Sequence, residues 1–361
     1  MKLVLATPLY PPEGGGPSTF ARTLEIELPK YGWNVTLVKF RDVRHLPKII
    51  RHLAYGYRVW KAALTADAVL VLDPVSVGLP ALAAAWLSLR PFFLRVGGDY
   101  AWEQGMARWG ITDPLDAFVL GSEYPVPVRL LKKVEALVAR SARRVLVPGT
   151  YLAGIVVQWG VPPARVITAY NPAPQIVSER NCLLDKPYII SVGRLVPQKG
   201  MNGVINAFAT IAREDRELRL VIVDDGPERP SLTALVHERD LAERVIFTGN
   251  VPNDTVLSWL RYAEAFILNS RYECVSHLVL EAFAVGTPVL ASDVPGDVEI
   301  AIDRTTALLF GFDDRERMAA SIREIRADAA LRERIVSNAH ALEKEFTVDR
   351  MMAAVIAALS V

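Results

Sequence analysis

The sequence predicts an α/β fold in two domains, each a parallel sheet wrapped by helices. Three observations carry this. A chain of 361 residues is long for one core and comfortable for two. Short apolar runs alternate with helical patterns from end to end, as parallel sheets with crossover helices require. The alternation then restarts after an irregular stretch, Asn171 to Pro187, that holds prolines 172, 174 and 187. Apolar residues make up 51% of the chain and no polar low-complexity tract occurs, so the whole of it is expected to fold.

In the first half the expected strands are Leu3 to Ala6, Asn34 to Lys39, Val69 to Leu72, Phe92 to Val96 and Arg144 to Val147. In the second they are Tyr188 to Val192, Leu218 to Val223, Arg244 to Thr248, Ala265 to Leu268 and Pro288 to Ala291. The repeat gives two Rossmann-like halves, set at 1–172 and 173–343, with 344–361 as a closing helix. Ligands of open α/β sheets bind outside the carboxyl ends of the strands, so the chemistry is expected where two such loop sets face a central cleft.

Several function classes are disfavoured. The two cysteines, Cys182 and Cys274, make no disulfide framework and no CxxC metal spacing, which suits a reducing cytoplasmic setting. The five histidines show no metal spacing, so no metal is expected. The first apolar run is too short for a signal peptide. The longer one, Val69 to Leu89, is broken by Asp73, Pro74, Gly78 and Pro80, so it reads as strand, loop and helix instead of a membrane span.

The net charge of +1 conceals an asymmetry: residues 1–185 hold 21 Lys and Arg against 14 Asp and Glu, and residues 186–361 hold 20 against 26. Much of the excess lies in Lys39 to Lys61, where cations alternate with aromatic and aliphatic residues. That pattern fits either a peripheral contact with an anionic membrane or an ordinary solvated helix face. No nucleic-acid module signature appears, and no nucleic-acid partner is expected.

Three loops could carry chemistry. After the first strand, Gly14, Gly15 and Gly16 let the backbone approach a ligand, and Pro17 suits the first turn of a helix whose free amides would hold a diphosphate. This is not GxGxxG, and no ribose-binding acid ends the second strand, so a nicotinamide dinucleotide site is disfavoured. After Tyr188 to Val192 comes Gly193-Arg194-Leu195-Val196-Pro197-Gln198-Lys199-Gly200. Lys199 immediately precedes a helix, where a cation opposes the dipole by about 0.3–1 kcal/mol unless an anion sits beside it. Arg194 adds a fork of donors suited to phosphate oxygens. The third is Glu273-Cys274-Val275-Ser276-His277-Leu278-Val279-Leu280-Glu281. Eight positions put two carboxylates about 80° apart on a helix, so Glu281 is expected to be helical, with Ser276 as N-cap and Glu273 on the preceding loop. The amides of Val275 to Leu278 would then point at a ligand.

The order of these loops, set between the expected strands and helices, resembles retaining glycosyltransferases of the family-4 type with the GT-B fold. The resemblance covers nearly all of the second domain and, more loosely, the first. It implies transfer of a hexose from a UDP-, GDP- or ADP-sugar to a glycan or lipid-linked acceptor, without cofactor or metal, in the cytoplasm or at the inner face of the membrane. Arg194 and Lys199 would contact the donor diphosphate, Glu281 the ribose and Glu273 the sugar. Gly14 to Gly16, Gly193, Val251 and the Cys274-Val275-Ser276-His277-Leu278 run would complete the donor site. Asp99, in Gly97-Gly98-Asp99, is the expected contact to the sugar or acceptor, although capping the next helix is an alternative task for it. The 344–361 helix would cross back to the first domain. Departures from the family pattern are Cys274 and Asp224, where glycine is usual, Asn171-Pro172 for asparagine-glycine, and no histidine near Asp99. A GT-B nucleotide-sugar epimerase and a noncatalytic nucleotide-sugar or carbohydrate-binding module are the rival readings.

Overall fold

The computed structural model describes residues 1–13, 16–174 and 184–360. They fall into two compact units, Met1–Asn171 with Val348–Val361, and Pro172–Thr347.

The first unit holds β1 (Lys2–Thr7), β2 (Asn34–Lys39), β3 (Ala68–Val71), β4 (Phe92–Arg95), β5 (Val145–Val147) and β6 (Val166–Thr168). They form one sheet, ordered β2-β1-β3-β4-β5-β6, parallel throughout. Its helices are α1 (Gly16–Glu27), α2 (Lys48–Ala63), α3 (Gly78–Leu87), α4 (Tyr100–Trp109), α5 (Leu115–Leu120), α6 (Val126–Ser141) and α7 (Thr150–Gln158).

The second unit repeats the plan with β7 (Tyr188–Val192), β8 (Arg219–Val223), β9 (Val245–Gly249), β10 (Ala265–Leu268), β11 (Val289–Ser292) and β12 (Leu308–Phe310). The order is β12-β11-β10-β7-β8-β9, again parallel. Its helices are α8 (Met201–Glu214), α9 (Arg229–Glu238), α10 (Asn253–Arg261), α11 (His277–Val285), α12 (Arg315–Ala327) and α13 (Ala329–Glu343); α14 (Val348–Leu359) returns to the first unit.

The strands read as near-continuous Val, Leu and Ile because both faces of a parallel sheet are covered. In the first unit Leu5, Leu70 and Phe93 pack with Phe20 and Leu24 of α1 and with Met352, Val355 and Leu359 of α14. α14 is thus part of that core. In the second, Ile189, Ile222, Ile267 and Leu290 meet Val204 and Phe208 of α8 and Ile322 of α12. Each such side chain, fully buried, contributes about 1.5–3 kcal/mol. β6 and β12 were not expected from the sequence. Each is a three-residue edge strand, too short to show a period. Among the described residues no helix is long and apolar enough to cross a membrane.

Candidate active site

In the second sheet the strand order reverses between β10 and β7, and the loops leaving the carboxyl ends of these two neighbours open a crevice at that point. Those loops are residues 193–200 and 269–276, the two that the sequence marks for donor chemistry. They are stitched together. The Arg271 N–H donates to the Gln198 carbonyl at 2.8 Å, and Asn269 Nδ2 donates to the Gly200 carbonyl at 2.8 Å. Gly200 has φ +52°, and a Cβ there would fall 2.5 Å from Asn269 Nδ2. Gly193, at φ +144°, gives the stem of Lys199 a bed, its Cδ 3.6 Å from where a Cβ would be.

The stitching brings Lys199 and Glu273 together as an ion pair, with side chains 24% and 12% exposed. Arg194 is exposed and its guanidinium has no partner among the described residues. The crevice therefore has one cation held by a carboxylate and one open.

Behind Glu273 lies a turn that the sequence reading passed over, Val294 to Asp297. Gly296 packs so closely that a Cβ would stand 1.9 Å from the Glu273 carbonyl oxygen. Its own carbonyl accepts the Val275 N–H at 3.2 Å, and Val275 sits at φ +59°, a costly conformation for a β-branched residue. Asp297, fully buried, accepts the Ser276 N–H on Oδ1 at 2.8 Å, while Oδ2 is buried without a hydrogen-bond partner. Burial, with the charge of Glu273 second, holds the Asp297 carboxyl well above the usual carboxylate range.

This corrects the expected donor contacts. The amides of Val275 and Ser276 are taken by Gly296 and Asp297, so of the run from Val275 to Leu278 those two do not point at a ligand. Leu278 lies in the first turn of α11, where the helix itself supplies no acceptor for its N–H. Ser276 stands at the N-cap position but its side chain makes no capping bond; Asp297 organises the turn instead. Glu273 and Cys274 are on the loop and Glu281 is in α11, as the spacing implies. Tyr272 and Cys274 contact each other through hydroxyl and thiol. His277 is the first residue of α11 and is half-buried.

Glu281 is pushed up to about 7 by desolvation, opposed by a hydrogen bond with Asn253. Its Oε2 is buried and unpartnered. Asn253 opens α10 just after the half-buried Val251, so Glu281 lies close to that expected donor-site residue along the chain of contacts. Asp224, where the family usually has glycine, has φ +98° and its Oδ1 accepts the next N–H at 2.7 Å. The backbone keeps a conformation suited to glycine, and aspartate is among the few side chains that tolerate that region.

In the first unit Gly14 and Gly15 lie outside the described residues, and Gly16 opens α1. Asp99 does not present its carboxylate to a ligand. It is 1% exposed and caps α4, accepting the Trp102 N–H at 2.8 Å. Glu135 supports the same helix end, accepting the N–H groups of Tyr100 and Ala101 at 2.7 and 3.2 Å. Burial pushes Asp99 up to about 6 and, with the charge of Asp99 second, holds Glu135 well above its ordinary value. Glu103, one turn along, reaches solvent. It is nonetheless hemmed in enough that desolvation, with Asp73 and Asp99, pushes it to about 7. Among the described residues no group of three or more His, Cys, Asp or Glu side chains is arranged to hold a metal ion.

Comparison with known proteins bears on the second unit first. The family described as Glycosyl transferases group 1 matches residues 175–342. An alpha-D-kanosaminyltransferase of Streptomyces kanamyceticus is 35% identical over 161 residues, 45% of this chain and 42% of the relative. A lipopolysaccharide core biosynthesis glycosyltransferase, LpsD, of Rhizobium meliloti is 34% identical over 169 residues, 46% and 48% of the two chains. The matched stretch thus spans about half the length of these curated relatives. In fold the likeness extends over the whole chain. A sucrose-phosphate synthase of Thermosynechococcus elongatus superposes with a TM-score of 0.79 at 18% identity, covering 99% and 98% of the two chains. HepE of Anabaena, solved with UDP-glucose, gives 0.79 at 17% identity over 100% and 99%. The match over 175–342 makes the second unit similar to the glycosyl transferases group 1, and the two parallel α/β units give the chain the GT-B fold.

Proposed function

We propose that the chain is a retaining, metal-independent glycosyltransferase that passes a hexose from a nucleotide diphosphate sugar to a hydroxyl of a glycan or lipid-linked glycan. The observation that carries this is the Lys199–Glu273 ion pair between the two loops at the strand-order reversal of the second sheet, with Arg194 on the same loop as Lys199 and Glu281 on the adjoining helix. Two cations on one loop suit a diphosphate, and a buried carboxylate with an open oxygen suits ribose hydroxyls.

In this scheme the donor phosphates draw Lys199 from Glu273 and engage the open Arg194. The carboxylate released from the ion pair turns to the sugar hydroxyls. As the glycosidic bond to phosphate breaks, charge grows on the leaving oxygen, and the two cations with the first turn of α11 offset it. A donor-phosphate oxygen takes the acceptor proton while the acceptor attacks on the same face.

UDP- and GDP-sugars are the first donors to test. HepE is solved with UDP-glucose, and a GDP-mannose-dependent mannosyltransferase of Mycobacterium tuberculosis is 30% identical over 178 residues. A thermal-shift series with UDP-, GDP- and ADP-sugars tests the reading, since a ligand at 100 times its Kd stabilises by about 2.7 kcal/mol. Stabilisation by none of them overturns it. Conversion of donor without any acceptor would favour the epimerase instead.

A further inference from the structure

Helix α2 has two apolar faces. One, Tyr55, Val59 and Ala63, is buried in the first unit. The other, Ile49, Leu53 and Tyr57, has the same four-residue spacing about 120° around the helix and faces solvent, with Leu53 69% exposed. Ile50 and Leu64 extend it. A surface helix ordinarily keeps one apolar stripe for the core and fills the rest with polar residues. The second stripe is therefore not explained by folding.

Helix α3 packs beside α2, so closely that a Cβ on Gly56 would stand 3.3 Å from the Pro80 carbonyl oxygen. It too has a spare stripe. Ala81, Leu82 and Ala85 are buried, while Leu79, Trp86 and Leu87 are exposed, and Leu89 just beyond is 91% exposed. Arg90 ties the two helices at this end by donating to the Leu64 carbonyl at 3.3 Å. Contiguous apolar surface on this scale marks an interaction site.

The charge on the two helices has one sign. Neither contains an aspartate or glutamate, and α2 contributes Lys48, Arg51, Arg58 and Lys61, of which Arg58 is paired with Asp42 at 3.4 Å. The cations upstream serve the fold instead. Lys39 lies over the Tyr10 ring at 4.4 Å, Arg41 donates to the Pro11 carbonyl at 2.7 Å, and Arg44 pairs with Glu13 at 2.5 Å. The basic stretch from Lys39 to Lys61 is thus divided, and only its α2 portion flanks the apolar stripe.

We propose that the outer faces of α2 and α3 form a docking surface for an anionic lipid bilayer. The apolar stripes would enter the acyl boundary, and the exposed Lys48 and Lys61 would meet headgroup phosphates. A second copy of the chain fits less well, because a two-fold contact would set these cations against themselves with no acid on either helix to answer them. The surface lies outside the residues assigned to the donor, so vesicle binding and donor binding are separable.

The test is sedimentation of the whole chain with vesicles of phosphatidylcholine alone or mixed with phosphatidylglycerol. The expected result is binding to the mixed vesicles that weakens with salt, falls about fivefold for each of Lys48→Ala and Lys61→Ala, and is lost in Leu53→Glu with Trp86→Glu. Circular dichroism checks that the variants are folded, and all of these positions are exposed. The proposal is overturned by no binding to anionic vesicles at low salt, by equal binding to both vesicle types, or by unchanged binding in the double glutamate variant. A concentration-dependent dimer that the same double variant dissociates, without vesicle binding, identifies a second copy as the occupant and equally overturns it.

Discussion

Asp297 accepts the Ser276 N–H at 2.8 Å, and this contact sets the entry to α11 on which Glu281 is carried. Asp297→Ala leaves that buried N–H unsatisfied, at a cost of about 1–3 kcal/mol. Asp297→Asn keeps an acceptor and removes the buried charge. The carboxyl is raised above its ordinary 3.8 in the folded state, so its contribution to stability is full below about pH 3.8 and is lost as pH rises toward the folded value. Urea unfolding at pH 4 and pH 8 checks the sign: the advantage of Asp297→Asn over the parent should be larger at pH 8. A larger advantage at pH 4 would contradict the assignment.

Glu281 should make donor affinity depend on pH. Desolvation pushes its carboxyl up to about 7, and in the proposed donor site ribose hydroxyls would bind the ionised form, so affinity should fall as pH drops from 8 to 6. Calorimetric titration over that range with a nucleotide sugar, whose doubly esterified pyrophosphate does not titrate there, reads it. Glu281→Gln should bind more weakly at pH 8 and show a flatter profile; an unchanged slope would mean that another group titrates.

Asp224→Gly should stabilise the chain. At φ +98° the aspartate holds a conformation that glycine adopts freely, and strain of this kind costs about 1–3 kcal/mol. Part of the gain is lost to the greater freedom of glycine in the unfolded chain. A rise in Tm of a few degrees is expected, and a fall would show that the bond from Asp225 N–H to the Asp224 side chain outweighs the strain.

Asp99→Ala should act on stability alone. Loss of an N-cap costs about 0.5–2 kcal/mol, and a residue 1% exposed has no surface to offer a ligand. A lower Tm with an unchanged KM for donor and acceptor is expected. A raised KM at full stability would restore the sugar contact that the sequence suggested.

Much of the fold was legible because parallel strands covered on both faces are continuous apolar runs, as in Ile189 and Ile190 of β7 or Phe266 and Ile267 of β10. β6 and β12 were not, since three residues at a sheet edge carry no period. The loops holding Arg194, Lys199 and Glu273 could be read because each follows a readable strand. Asp297 could not. Pro295-Gly296-Asp297 is an ordinary turn signal, and its bond to Ser276 spans 21 positions that only tertiary packing closes. Asp99 shows the converse: an acid after two glycines at a strand end fits a ligand contact and a helix cap equally, and only burial separates them. The second apolar stripe of α2 was hidden for a related reason, because sequence shows where apolar residues recur but not which stripe the core takes.

The central claim is that Arg194 and Lys199 together hold a diphosphate, and binding of UDP, GDP and ADP against their nucleosides tests it most directly. In the parent chain one diphosphate should bind far more tightly than its nucleoside. Arg194→Ala and Lys199→Ala, folded by circular dichroism, should each lose about tenfold or more in diphosphate affinity, as expected for a charge-assisted hydrogen bond of about 1.5–3 kcal/mol, and leave nucleoside affinity unchanged. Diphosphate affinities equal to the parent in both variants would contradict the account.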